Sequence, residues 1–140
     1  MKVYLDDGAI MPTRAHSTDA GLDLYAREFY ILPGWDCAII DTGVHVEIPA
    51  GHYGKIESKS GLNVKYSVVS CGGVIDEGYT GSIVVKLYNL DALDYQIKPG
   101  DKVAQLVIQP CRYFKPEQVD GLDKFAATER GTDGFGSTGR

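Results

Sequence analysis

Short runs rich in β-branched and aromatic residues recur along the whole chain, cut apart by Gly, Pro, Asp and Asn, and helical periodicity is scarce. No other feature restricts the fold as much. "KVYL" is the first run, and "LDLYA" puts Leu22, Leu24 and Ala26 on one face. "CAIIDTGVHVEIP" reads as two strand-like pieces broken at Asp41-Thr42-Gly43, and "HYGKIES", "YSVVS", "SIVVKLYNL", "DYQIKPG" and "KVAQLVIQP" follow. "IPAGHYG" and "IKPGDK" place Pro and Gly where turns are needed. Only "SGLNVK" predicts a brief helix, with Ser60 as its cap. Many short strands with regular turns indicate an antiparallel sandwich, jelly roll or barrel. The pattern fades from about Lys115 and is gone beyond Thr128.

The chain's 140 residues predict one domain with a core that needs no disulfide staples. A net charge of -5 argues against non-specific nucleic-acid binding but leaves room for a local basic site for a small polyanion. No apolar run approaches the roughly 18 residues of a membrane span. "MKVYLDDGAIMP" lacks a signal-peptide core. Cys37, Cys71 and Cys111 match no zinc spacing, and they read as free buried thiols of a reducing, cytoplasmic compartment. His16, His45 and His52 show no metal-ligand spacing.

Three glycine-bearing stretches stand apart from the strands. In "SKSGLNVK", Lys59 supplies a point charge and Ser60 a hydroxyl beside Gly61, which permits close backbone approach. The set suits phosphate oxygens, or simply a capped turn with a solvated lysine. In "CGGVIDEGYTG", Val74 and Ile75 lead to Asp76, with Tyr79 three residues on. The glycines suit a tight hairpin, and an Asp leaving an apolar strand end would be a partly desolvated base. The other reading is a turn Asp bonding its own backbone, with Tyr79 half-buried. In "ERGTDGFGSTGR", Gly131, Gly134, Gly136 and Gly139 can form a nest of N–H donors. Ser137 and Thr138 add hydroxyls, Arg130 a positive fork and Phe135 a face for a base to stack on. By composition alone this tail is a disordered linker. Gln105, in the strand of Val103, Leu106 and Ile108, either pairs a backbone group or reaches a ligand. Asp23 lies in an apolar strand and needs a partner, a divalent cation or a hydrogen-bonded neighbour.

Taken in order, "AGLDLYA", "SKSGLNVK", "GVIDEGYTG", "GDKVAQLVIQP" and "RGTDGFGSTG" resemble the five motifs of the trimeric dUTP pyrophosphatase (dUTPase) family, from Ala20 to Gly139. The resemblance implies an all-β, distorted jelly-roll barrel with at most one short helix. It further implies a core over residues 1–127 and a flexible Gly-rich arm over 128–140. Three such chains would form a homotrimer whose active sites are shared between subunits. The implied activity is that of a dUTP diphosphatase, hydrolysing dUTP to dUMP and pyrophosphate with Mg2+ on the triphosphate. This would lower dUTP and supply dUMP for thymidylate synthesis.

By position, Asp76 matches the residue that activates the attacking water, and Tyr79 the ring beneath the deoxyribose. The hairpin Ser70 to Ile75, with Gly73 and Val74, matches the backbone that reads uracil. Lys59, Ser60, Gly61 and Gln105 match phosphate contacts, and Asp23 the carboxylate that reaches magnesium through water. Arg130, Phe135, Gly136, Ser137 and Thr138 match the arm, with Arg130 on the phosphates and Phe135 over the uracil. The chain departs from the family pattern at Ser58-Lys59, usually Pro-Arg, at Gly78 and Thr80, often Asp and Arg, and at Asp133, usually Gly. The related dCTP deaminases lack such an aromatic glycine arm, so "RGTDGFGSTG" counts against that activity. A nucleotide-gated regulator of a partner protein is a further reading, to which an intact Asp76 and arm add catalysis.

Overall fold

β-Branched residues separated by turn signals form eleven strands among the described residues. They are β1 (Val3–Leu5), β2 (Gly21–Tyr25), β3 (Tyr30–Leu32), β4 (Cys37–Asp41), β5 (Val44–Val46), β6 (His52–Glu57), β7 (Val68–Cys71), β8 (Val74–Ile75), β9 (Val84–Asn89), β10 (Tyr95–Ile97) and β11 (Lys102–Pro110). One helix, α1 (Ser60–Tyr66), and one 3-10 turn, Leu122–Lys124, complete the list. The computed structural model describes residues 1–134.

The strands lie in four antiparallel sheets, ordered β2-β11-β6-β8, β4-β9-β7, β1-β5 and β10-β3. Side chains alternate across a strand, so most strands turn one row inward, while β2 is buried on both faces from Gly21 to Leu24. In β9, Val85, Leu87 and Asn89 are buried while Val84 and Lys86 face outward. Leu24, Leu32, Ile40, Val44, Leu87, Ile97 and Leu106 draw every sheet into one core. Burying each large aliphatic side chain contributes about 1.5–3 kcal/mol. The expectation of a mostly strand chain with one short helix holds. The nine-residue β11 is the structural axis, pairing with β2 on one side and β6 on the other.

Several local expectations need correction. Ser60 is the first helical residue and not the cap; Lys59 caps α1 with extended backbone and makes no side-chain cap bond. The helix stops at Ser67, which takes a left-handed φ of 53°. The stretch after Ser70 is not a hairpin of two paired strands. β7 pairs with β9, whereas β8 pairs with β6, so the chain changes sheet at Gly72-Gly73. Those glycines have φ of 80° and 110°, and the Gly73 carbonyl accepts the Ile56 amide at 2.9 Å. The thiols are not buried: Cys71 is exposed, and Cys37 and Cys111 are half-buried. Strand structure ends at Pro110, and Tyr113, Phe114, Leu122 and Phe125 beyond it are exposed.

A Cβ on Gly73 would run into Ile56, from a backbone conformation that L side chains rarely adopt. Gly73→Ala should therefore lower stability by about 2 kcal/mol through strain and overpacking. A urea unfolding midpoint equal to that of the parent chain would contradict this.

Candidate active site

β8 brings Ile75 into register with Gly54 of β6, and the chain leaves the sheet one residue later at Asp76. Ile75 is buried and anchors this exit; Asp76 is exposed. The partly desolvated Asp expected from its apolar approach is therefore not found within this chain. The Asp76 carbonyl accepts the Tyr79 amide at 3.0 Å and closes a turn. Asp76 stands on the rim of a cavity of about 820 Å³, with Tyr53, Val74, Glu77, Cys111 and Tyr113 on its walls.

Glu77 organises that wall. Its Oε2 accepts the Gly51 amide at 2.9 Å and the Tyr113 hydroxyl at 2.6 Å. The hydrogen bond to Glu77 holds the Tyr113 phenol protonated, pushing its pKa up to about 12. Neither residue is legible as part of the site from sequence, because Tyr113 lies 36 positions from Glu77. Tyr79 is exposed, not half-buried, and its hydroxyl donates to the Ser82 carbonyl at 2.9 Å. Its ring lies over Gly81, where any Cβ would strike the phenol.

A second group forms where β2, β11 and the start of α1 meet. Asp23 is only 4% exposed, facing Gln105 in the β2–β11 register. Its Oδ1 meets the Lys59 ammonium at 2.5 Å and its Oδ2 the Lys102 ammonium at 2.7 Å. Gln105 Nε2 donates to the Ser58 carbonyl at 3.1 Å, which fulfils its backbone-pairing reading. These residues border a cavity of about 300 Å³. Ser60 and Gly61 are exposed at the first turn of α1 beside it. Ser58 Oγ accepts the Ser70 amide at 2.9 Å, which ties β7 to this corner and occupies that amide.

Asp23 was expected to reach a magnesium ion. Both of its oxygens are instead paired with ammonium groups, and Lys102 is the partner that strand reading did not single out. Among the described residues no group of three His, Cys, Asp or Glu side chains could hold a metal. Asp23 as a direct ligand of a cation does not fit this arrangement; the contact expected of it runs through water. Burial works to raise its pKa, but hydrogen bonds from Lys102 and then Lys59 outweigh it and the net shift is downward. A lowered folded pKa means the stabilisation is present above the unfolded value, near 3.9, and is lost as pH falls through the folded one. Asp23→Asn should thus be less stable at neutral pH and show a shallower loss of stability on acidification below about pH 4. Parallel acid-unfolding curves for the two proteins would exclude the ion-pair account.

One chain does not bring the two groups together. Asp76 follows Ile75, opposite Gly54, at the His52 end of β6; Gln105 pairs with Glu57 at the other end. Gly54 and Glu57 are three residues apart, about 10 Å along the strand, and β8 and β11 flank β6 on opposite sides. Arg130 is exposed, and its Nε donates to the Asp133 carbonyl at 3.0 Å. Phe135, Gly136, Ser137 and Thr138 lie outside the described residues.

A family model described as dUTPase matches residues 7–139. The deoxyuridine 5'-triphosphate nucleotidohydrolase of Mycobacterium marinum is 43% identical over 142 residues, covering 98% of this chain and 92% of that protein. The rat protein of the same name is 40% identical over 138 residues, 99% of this chain, and the chain spans 66% of its length. Among solved structures, the Staphylococcus bacteriophage 80alpha dUTPase with dUPNHPP superposes with a TM-score of 0.92 at 32% identity, covering 99% of this chain and 98% of that one. A mutant dUTPase from phage phi11 of S. aureus, described for its coordination of a structural Mg(II) ion, gives a TM-score of 0.80 at 34% identity, with 87% and 97% covered.

Proposed function

The chain belongs to the dUTPase family, and from that premise we propose that it hydrolyses dUTP to dUMP and pyrophosphate. The observation that carries the reading is Asp76, exposed at the mouth of a nucleotide-sized cavity, three residues before Tyr79. Asp76 orients a water and accepts its proton while the water oxygen bonds to the α-phosphorus. The bond from that phosphorus to the bridging oxygen breaks, and pyrophosphate leaves with the electron pair. Proton acceptance by a positioned carboxylate is worth about 10²- to 10⁴-fold. Magnesium enters as the counter-ion of the triphosphate, as is common where substrate phosphates supply the ligands. Asp23, paired with Lys59 and Lys102, would reach that ion only through water.

Tyr79 lies beneath the deoxyribose and leaves no room for a 2′-hydroxyl. The sheet-changing segment Ser70 to Ile75, with Gly73 and Val74 exposed, offers backbone groups to uracil. A fixed donor facing O4 would reject cytosine, whose amino group donates there. Lys59, Ser60, Gly61 and Gln105 take phosphate oxygens. Residues 1–127 act as the core and 128–140 as the closing arm, with Arg130 on phosphate, Phe135 over the base, and Gly136, Ser137 and Thr138 wrapping the chain end. The placement of Asp76 and Gln105 toward opposite ends and flanks of β6 accords with a homotrimer, in which one subunit's Asp76 meets another's Lys59 and Gln105. Such an enzyme lowers dUTP and supplies dUMP for thymidylate synthesis. No described helix is long and apolar enough to cross a membrane.

Pyrophosphate release measured in parallel with dUTP, dCTP, dTTP and UTP should be fast for dUTP alone and dependent on Mg2+. Ammonia release from dCTP, or equal turnover of all four, would refute the assignment.

A further inference from the structure

Outside both cavities, four charged side chains converge behind the turn that carries Tyr79. Arg27, just after β2, lies 2.6 Å from Asp41 at the end of β4 and 3.6 Å from Asp6 just after β1. His45 of β5 places Nε2 3.3 Å from Asp6 and Nδ1 2.8 Å from the Thr80 carbonyl. Asp41 accepts the Ser82 hydroxyl and, at 3.0 Å, the Gly43 amide. The turn 79–82 is thus gripped from two sides. His45 holds Thr80, Asp41 holds Ser82, and the Tyr79 hydroxyl closes the loop on the Ser82 carbonyl. Arg27 links the two grips.

Both neighbours of the His45 ring, a carbonyl and a carboxylate, can only accept hydrogen bonds. A neutral imidazole that donates Nδ1–H to Thr80 turns its Nε2 lone pair toward Asp6, which lies at ion-pair distance without hydrogen-bond geometry; an imidazolium turns an N–H toward each. Charge points the same way. Asp6 and Asp41 carry two negative charges against the single positive charge of Arg27, and a protonated His45 makes the cluster neutral. The remaining groups near the ring do not alter that balance. The Tyr4 ring packs at 5.4 Å with a tilt of 60°, and Lys2 and Glu47 beside it pair with each other at 3.0 Å.

We propose that His45 is a positioning residue for sugar selection: its doubly protonated ring clamps the Thr80 carbonyl to Asp6 and so fixes the turn that holds Tyr79. This rests on the role proposed above for Tyr79. The Thr80 carbonyl, opposed by burial and aided by Asp6, holds the His45 pKa above the ordinary histidine value. A raised folded pKa means the clamp is complete below the unfolded value, near 6.5, and is lost as pH rises through the folded one.

The test compares the parent chain with His45→Gln, His45→Ala and Tyr79→Ala. Without nucleotide, the His45 ring and the Gly81 amide are followed by NMR from about pH 6 to about pH 9. The two should titrate with one midpoint above that of a free histidine. With nucleotide, the ratio of kcat/KM for dUTP over UTP should fall about fivefold to tenfold across that midpoint, the size of one charge-assisted hydrogen bond acting indirectly. His45→Ala should show the lowered ratio at every pH. His45→Gln keeps one donor for the Thr80 carbonyl, as a neutral ring does, and should show the parent's high-pH ratio at every pH, without a step. A Gly81 amide indifferent to the His45 titration, or parental selectivity and pH dependence in His45→Ala, overturns the proposal. Intact UTP rejection in Tyr79→Ala would fault the sugar filter and overturn the selectivity claim with it. The Gly81 titration is judged on His45 alone.

Discussion

Asp76→Asn is expected to lower dUTP turnover by about 10²- to 10⁴-fold while nucleotide affinity stays within a few-fold of the parent. Asparagine has the same size and can still accept a hydrogen bond from a water, so the nucleophile remains placed. It cannot take the proton that must leave as the oxygen–phosphorus bond forms. The substitution should not disturb the fold, because Asp76 is exposed and its carbonyl, not its carboxylate, accepts the Tyr79 amide. Single-turnover pyrophosphate release gives the chemical step. Calorimetric titration with a non-hydrolysable dUTP analogue gives the affinity, and the thermal midpoint checks the fold. A variant that turns over dUTP at the parental rate removes Asp76 from the role of base. One that loses binding and turnover together makes it a binding group instead.

Much of the strand content is legible because one face of each sheet is buried, and burial writes alternation into the sequence. β9 is a clear case, with Val85 and Leu87 inward and Val84 and Lys86 outward. β3 escapes notice because its three residues follow directly on "AREF" with no turn residue to mark where the strand begins, whereas the equally short β5 follows Asp41-Thr42-Gly43. The partners of a strand are not written locally. Nothing near Cys71 says that β7 joins β9 while β8, three residues later, joins β6. The same holds for side-chain partners. Asp23 clearly requires compensation, but that it comes from Lys59 and Lys102 depends on β2 lying beside β11. The motif residues are legible as residues and not as a place. Only the register on β6 reveals that Asp76 and Gln105 stand beside opposite ends of that strand.

That separation leads to the second large effect. Ser60→Asp should be nearly inactive alone, and a mixture of Ser60→Asp with Asp76→Asn should regain activity. Ser60 is exposed at the first position of α1, where a carboxylate interacts favourably with the helix dipole, so the variant should fold. In the proposed site the same carboxylate would face the phosphate chain and repel it. Each variant spoils a different half of the site. If each site takes Asp76 from one subunit and Ser60 from another, random reassembly of an equal mixture leaves about a quarter of the sites with both halves intact. Unfolding the two chains together and refolding them should then yield about a quarter of the parental rate, whereas each variant refolded alone stays near zero. If both halves came from a single chain, no mixed site could be whole, and the mixture would be as inactive as its parts. Recovery on mixing thus reads subunit sharing directly from activity, independently of any measurement of size.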